Sequence, residues 1–316
     1  MEMGRPNLEV LGDTLLEIGQ ARKDLLVVAG DSRGSGKLIP FGEHLPGQIV
    51  EVGIAEQNLV GISAGLASTG KKVFAVSPAS FLTARAFEQI KNDVAYSDIP
   101  VKLIGISAGV SYGALGSTHH SLHDFAALRA VDNIHIVVPA DNFEARKAIE
   151  SAMNYPHPIY IRFGKNSLPH LHDLDTEFKI GKAIVLKKGV DVTFIATGET
   201  VFRAVKACNI LENQGISCGV ISMHTLKPLD NEAILNTAKE SKAIITVEEH
   251  SVNGGLGSAC ASLLLQEGMH NLFRIVGIPD EYTVNGSQEE IFEYYGITPE
   301  GLAQSAQDLV QNVIQI

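Results

Sequence analysis

The chain has 316 residues, of which 45% are hydrophobic and 19% charged, with a formal net charge of −11. That length suits two domains rather than one core, and no apolar run reaches the ~20 residues that a bilayer span requires. Acidic residues are spread along the chain, which argues against a basic nucleic-acid face but leaves room for an anionic small molecule, whose site needs only a few local donors.

Strand-length apolar runs alternate with helical patterns from the start. A helix is expected over 8–23, a strand over 25–29, a short strand over 48–52 and a helix over 55–68. Strand 72–76, helix 79–96, strand 101–107, helix 122–130, strand 134–138, helix 142–153 and strand 159–162 follow. Near-continuous apolar strands separated by helices predict a mainly parallel sheet covered on both faces. Asp141 and Glu144, after Pro139, have the spacing of a capping box. From 167 to 180 the alternation stops, and Pro169, His170, His172, Asp173 and Asp175 predict a polar, extended linker. The pattern restarts with strands at 192–196, 216–221, 243–247 and 273–276 and helices at 199–213, 231–240 and 257–267. Val201, Ala204, Val205, Cys208 and Leu211 share one helical face. The expected fold is α/β with two domains, each a mainly parallel sheet with helices on both faces. The expected boundaries are 1–170, a linker at 171–180, and 181–316.

Cys208, Cys218 and Cys260 have no paired spacing, so buried thiols in a reducing compartment are expected. The N-terminus lacks a basic segment followed by an apolar one, so no signal peptide and a cytoplasmic location are expected.

Several segments carry polar chemistry at strand ends, where open α/β sheets bind ligands. Glu56 falls in the first turn of a helix bearing Gly61 and Gly65 on one face. An ordinary acidic first turn explains Glu56 but not the two glycines, which would admit a close backbone, so both readings stand open. Phe81 lies beside a strand end, where a ring can stack on a flat heterocycle; equally, Phe81 and Phe87 are core candidates. The loop from Gly109 to His120 is rich in glycine and hydroxyl residues, and His119, His120, His123 and Asp124 crowd behind it. Adjacent histidines rarely ligate one ion together, so no metal site is expected; acid–base or hydrogen-bonding work falls to His119. The segment 247–258 joins a strand to a helix and has the look of an anion-binding turn. Another glycine-rich loop, 30–36, lacks the G-K-[ST] of a phosphate loop.

Taken together, these segments resemble the transketolase family of thiamine-diphosphate enzymes. The resemblance rests on AEQN-VGISAGLA around Glu56, SFLTARAFEQIKNDVAY from Ser80 to Tyr96, and THH ending at His120. It rests further on VVPADNFEA from Val137, KPLD at 227–230 and VEEHSVNGGLGS from Val247. The G-D-G segment that holds the cofactor diphosphate and a divalent cation in full-length transketolases has no counterpart here. The resemblance therefore implies the smaller subunit of a split enzyme: a pyrimidine-binding domain plus the C-terminal domain. It implies an N-terminal partner subunit that holds the diphosphate and the cation (Mg or Ca), an α2β2 assembly, and small sugar-type substrates. By the same resemblance Glu56 activates thiamine diphosphate through pyrimidine N1′. Phe81 and Phe87 enclose the pyrimidine, His119 faces substrate oxygens, Arg162 contacts a substrate phosphate, and Asp31 and Ser35 contact substrate. The C-terminal domain is expected to serve assembly.

Departures from the family accompany the match. Leu115 stands where the family has an acidic residue that reads a sugar hydroxyl, Ser107 where it has a histidine, and Leu8 where it has a phosphate-binding arginine. Such losses imply a substrate other than an ordinary pentose-pathway sugar phosphate. The alternatives are a subunit like 1-deoxyxylulose-5-phosphate synthase or the 2-oxoacid dehydrogenase β chain, and a non-catalytic assembly subunit.

Overall fold

Two large sheets carry the fold of the computed structural model, which describes residues 1–173 and 175–311. Fourteen strands run in chain order: β1 Met3–Pro6, β2 Leu25–Ala29, β3 Ile49–Glu51, β4 Lys72–Pro78, β5 Lys102–Ile106, β6 His135–Val137 and β7 Ile159–Arg162. The remainder are β8 Ser167–Pro169, β9 Ile184–Lys187, β10 Val192–Ala196, β11 Cys218–Ser222, β12 Thr225–Lys227, β13 Ala243–Ser251 and β14 Leu272–Ile278. The first large sheet has seven strands in the order β12-β6-β7-β5-β4-β2-β3, and the second has five in the order β14-β13-β10-β11-β9. Apart from the edge strands β12 and β9, every pair in both is parallel. Interior strands such as β5 and β10 are buried along their whole length, as sheets covered on both faces require.

Helices Asn7–Ala21 and Asn142–Met153 pack together over one face of the first sheet, around Leu11, Leu15, Phe74 and Ile149. On the other face, helix Glu56–Ser68 and the segment from Ala79 pack around Leu59, Leu82 and Ile90. In the second sheet, helix Val201–Glu212 packs on β11 and on helix Pro299–Gln311, burying Val201, Ala204, Cys208 and Leu211. All three cysteines are buried free thiols.

Local expectations differ from the structure in four places. The helix expected over 79–96 breaks: Ala79–Arg85 ends at Ala86, and a π-helical turn spans Ile90–Ala95. The capping box is half made. Asp141 accepts from the Glu144 amide at 2.9 Å, while the Glu144 carboxylate reaches back past the cap to the Ala140 amide at 2.7 Å. The linker is not simply solvated. Ser167–Pro169 pairs with Met3–Pro6, and the His172 side chain is fully buried between Asp141 and Glu144, 3.1 Å from each. Finally, β12 comes from the C-terminal half yet pairs antiparallel with β6 in the N-terminal sheet. Lys227 secures it by donating to the carbonyls of Arg129 and Val131.

Candidate active site

The carboxyl ends of β2, β3, β4, β5 and β7 open on one side of the seven-stranded sheet. Glu56 follows β3 and begins its helix directly after Ala55, so its side chain sits at the positive end of that helix. It is 4% exposed, and its Oε2 accepts a charge-assisted bond from Arg85 Nη1 at 2.6 Å. Arg85 also covers the Phe81 ring, 4.9 Å from its centroid. Phe81 meets His119 edge-on with centroids 5.3 Å apart, and the Tyr112 ring also meets His119 edge-on, at 5.4 Å. The His119 Nδ1 is 3.0 Å from the Thr118 hydroxyl, which orients the ring.

Of these residues Phe81, Arg85 and Thr118 line a cleft of about 430 Å³, with Ser80, Ser117 and His123; Glu56 and His119 adjoin it through Arg85 and Phe81. The Ser80 hydroxyl is buried at its edge without a hydrogen-bond partner. The histidines do not converge on an ion. His120 is buried and bonds through Nε2 to the Gly113 carbonyl at 2.9 Å, while His123 is exposed beside Thr83. Among the described residues no group of three His, Cys, Asp or Glu side chains is placed to hold a metal.

Asp31 and Ser35 are exposed on the loop after β2. Asp31 acts electrostatically on Tyr112, whose hydroxyl is raised first by burial and further by that carboxylate. The loop lies across the ends of β4 and β5, since a methyl added at Gly36 would touch Val76 and Ile106. Ser107 directly follows β5 with φ +52°, and its buried hydroxyl opposes the upward shift of Tyr112.

Arg162 is a correction. Its side chain is 3% exposed and fully engaged. Nε donates to Asp124 Oδ2 at 2.9 Å and Nη2 to the Glu249 carbonyl at 2.7 Å, with Glu249 Oε2 3.5 Å from Nη1. Burial works against the guanidinium charge, but Asp124 and Glu249 outweigh it and hold the group charged. Burial likewise works to raise Asp124, and Arg162 with His250 brings it below the ordinary range. A group so enclosed presents no free donor to the cleft. A cation that does face outward is Lys165, exposed beyond the strand end with Nζ 4.9 Å above the Tyr112 ring. Its signal in the sequence is its position: three residues past Arg162, it has left the buried strand.

Phe87 is the second correction. It lines a separate cleft with Lys91, Tyr96 and Asp132 rather than the one beside Phe81, because the helix breaks between them. Among the described residues a methyl added at Gly65 would meet nothing within 4 Å beyond its own helix, and one at Gly61 would meet only the Asp93 carboxylate at 3.9 Å, so no other backbone of this chain's described residues approaches that face. In the segment 247–258 the anion is the protein's own. Glu248 accepts from the Leu256 and Gly257 amides at 2.7 and 2.8 Å, filling the helix N-terminus. Burial still pushes that carboxyl up to about 7.

Comparison with known proteins agrees with this geometry. The transketolase pyrimidine-binding domain family matches residues 6–170, and the transketolase C-terminal domain family matches residues 181–302. The chain is 48% identical over 300 residues to one of the subunits of the apulose-4-phosphate transketolase of Phocaeicola vulgatus, covering 95% of this chain and 96% of that one. It is 33% identical over 299 residues to a 6-deoxy-6-sulfo-D-fructose transketolase subunit of a Clostridium species, covering 95% and 92%. A solved split-gene transketolase, described as an inactive β4 tetramer, superposes with a TM-score of 0.88 at 35% identity, covering 98% and 99%. The chain therefore belongs to the transketolase family and resembles the C-terminal subunits of its split members from end to end.

Proposed function

We propose that the chain is the pyrimidine-binding subunit of a thiamine-diphosphate-dependent split transketolase, transferring a two-carbon ketol unit from a ketose to an aldehyde acceptor. The observation that carries the reading is the run of contacts from Glu56 through Arg85 and Phe81 to His119, with Arg85 touching both the acid and the ring at the cleft edge. The residues fit the pyrimidine half of the cofactor. A nearly buried carboxylate, an aromatic face and the unpartnered Ser80 hydroxyl supply a hydrogen-bond acceptor or donor, a stacking surface and a further polar contact. Glu56 would hold the hydrogen bond at the pyrimidine ring nitrogen, and Phe81 would lie against the ring. When bound, the cofactor supplies the electron sink for ketol transfer.

Arg85 engages Oε2 of Glu56 and leaves Oε1 for that role. Arg85 is 46% exposed, so it has room to turn outward. His119, in contact with both Phe81 and Tyr112, would exchange a proton with a substrate oxygen. The diphosphate and a divalent cation (Mg or Ca) fall to an N-terminal partner subunit, and an α2β2 assembly follows from pairing two such halves.

The substrate proposed is a phosphorylated ketose other than the ordinary pentose-pathway pair. Leu115 is exposed at the loop tip where an acid would read a hydroxyl, and Ser107 is buried. The cations left near the cleft are Lys165 and Arg85. The relative named for apulose 4-phosphate supports a phosphorylated substrate of that kind.

The experiment is turnover of the subunit reconstituted with its partner. Apulose 4-phosphate is expected to outperform xylulose 5-phosphate with ribose 5-phosphate, and robust turnover of the latter pair overturns the substrate proposal. Pyruvate is expected to be inert beside hydroxypyruvate; the reverse would favour the 2-oxoacid alternative. Glu56→Ala is expected to lower kcat by about 100-fold or more. Unchanged activity would return the chain to a purely assembling role.

A further inference from the structure

The loop that carries His119 is held by the C-terminal domain. Its stem closes where the Ser121 amide donates to the Gly109 carbonyl at 2.8 Å. Strand β13 grips that stem from both sides. On one side the Val110 amide donates to Glu249 Oε1 at 2.9 Å; on the other the Ser251 amide donates to the Leu122 carbonyl at 3.2 Å. Arg162 ties the two together by donating to the carbonyls of Ser121 and Glu249.

The fit is close enough to require glycine. Gly109 has φ +61°, and a methyl there would collide with the Glu249 carboxylate. Gln288 backs the carboxylate, with Nε2 2.6 Å from Glu249 Oε1 and 2.9 Å from Glu199 Oε2. Its Oε1 accepts from Asn166, just past β7. The same C-terminal segment meets the loop tip, since methyls at Gly113 and Gly116 would each fall 2.9 Å from Gly286 O and Asn285 Oδ1 respectively. A glycine-rich loop has little order of its own, so fixing its root and tip limits where the histidine can stand.

We infer that Glu249, backed by Gln288, is a positioning residue through which the C-terminal domain sets the His119 loop for catalysis. Glu249 is buried and does not line the cleft beside Phe81; it acts through the Val110 amide and its close packing on Gly109. The inference rests on the reading of His119 as the substrate-facing group. It gives the C-terminal domain a task at the reacting site beyond assembly.

The test uses the full chain reconstituted with its partner subunit. Glu249→Ala is expected to speed amide hydrogen exchange across 110–120 by about tenfold or more while leaving helix Asn142–Met153 unchanged. It is expected to lower kcat by about tenfold or more, with thiamine diphosphate affinity held within about twofold. Glu249→Gln keeps the side-chain volume and is expected to show the same pattern more weakly, which serves if the alanine variant folds poorly. Gly109→Ala alone is expected to cost kcat, and Gly109→Ala/Glu249→Ala to lose less than the product of the two single losses, because the clash is gone. Unchanged loop exchange, a kcat loss matched by lost cofactor affinity, or multiplicative losses in the double variant each overturn the inference. His119→Ala separates the two levels. Full turnover of that variant sinks the reading of His119 even if the loop loosens as expected; loss of turnover with no loosening in Glu249→Ala sinks the positioning role alone.

Discussion

The cleft beside Phe81 and the seam between the two sheets both concentrate charged side chains, but they satisfy them differently. At the seam Arg162, Asp124, Glu249 and Glu199 are all below 10% exposed, and Tyr160 adds a 2.8 Å bond to Asp124. Burial pushes Glu199 and Glu249 up, and lowers His250 to about 4. At the cleft the polar groups are half-committed: Arg85 and Lys165 reach into solvent, Ser80 has no partner, and Glu56 has one cation. A charge that is fully paired in the dark supports the fold, whereas one left with spare bonding capacity at a strand end can meet a ligand.

That contrast can be broken by substitution. The largest effect is expected from Arg162→Ala, which strands Asp124 and Glu249 and should cost about 3–5 kcal/mol of stability. Chemical or thermal unfolding measures it; a variant as stable as the parent, with only weakened substrate binding, would restore Arg162 to the substrate site. Next comes Glu248→Ala. It orphans the Leu256 and Gly257 amides and is expected to cost about 1–3 kcal/mol with little change in KM. Lys165→Ala is expected to leave stability within about 0.5 kcal/mol and to raise KM for a phosphorylated substrate about tenfold. An unchanged KM would remove it from the cleft.

The smallest expected effect is a pH dependence. Burial opposes the charge on His172, but its bonds to Asp141 and Glu144 outweigh that and raise it to about 9. Because its folded pKa is raised, its contribution is full below the ordinary histidine value of about 6.5 and fades as pH rises through about 9. Stability against denaturant should therefore decline between about pH 6.5 and 9, and less so in His172→Gln. An identical decline in that variant would assign the effect elsewhere. Glu199, raised by burial and then by Glu249, contributes in the same direction, since its ionisation is opposed only in the folded state.

Much of the fold could be read before any coordinates. The bounds of β7, β10 and helix Asn142–Met153 match the apolar runs because each is long and buried on a consistent face. The strand β12 was not legible. It has three residues, lies at an edge and finds its partner β6 far back in the chain, so no local period marks it. In the candidate site, the contact between Phe81 and His119 has no local signal in the sequence, while the assignment of Arg162 rests on a motif alone. Its position at the end of an apolar parallel strand already argued for burial with a partner. Lys165 lies outside that run, where no motif marks it.

The sequence by itself determined the alternation of strand and helix, the two-sheet class and the family, since period, turn residues and ordered motifs are local properties of the chain. Only the tertiary structure decided which charge is paired with which. Arg162 is closed by Asp124 and Glu249, the helix after Gly255 by Glu248, and Glu56 by Arg85. The physical reason is that an ion pair is defined by distance and solvent exclusion. For Glu56 and Arg162 both are set by elements 29 to 87 residues apart in the chain.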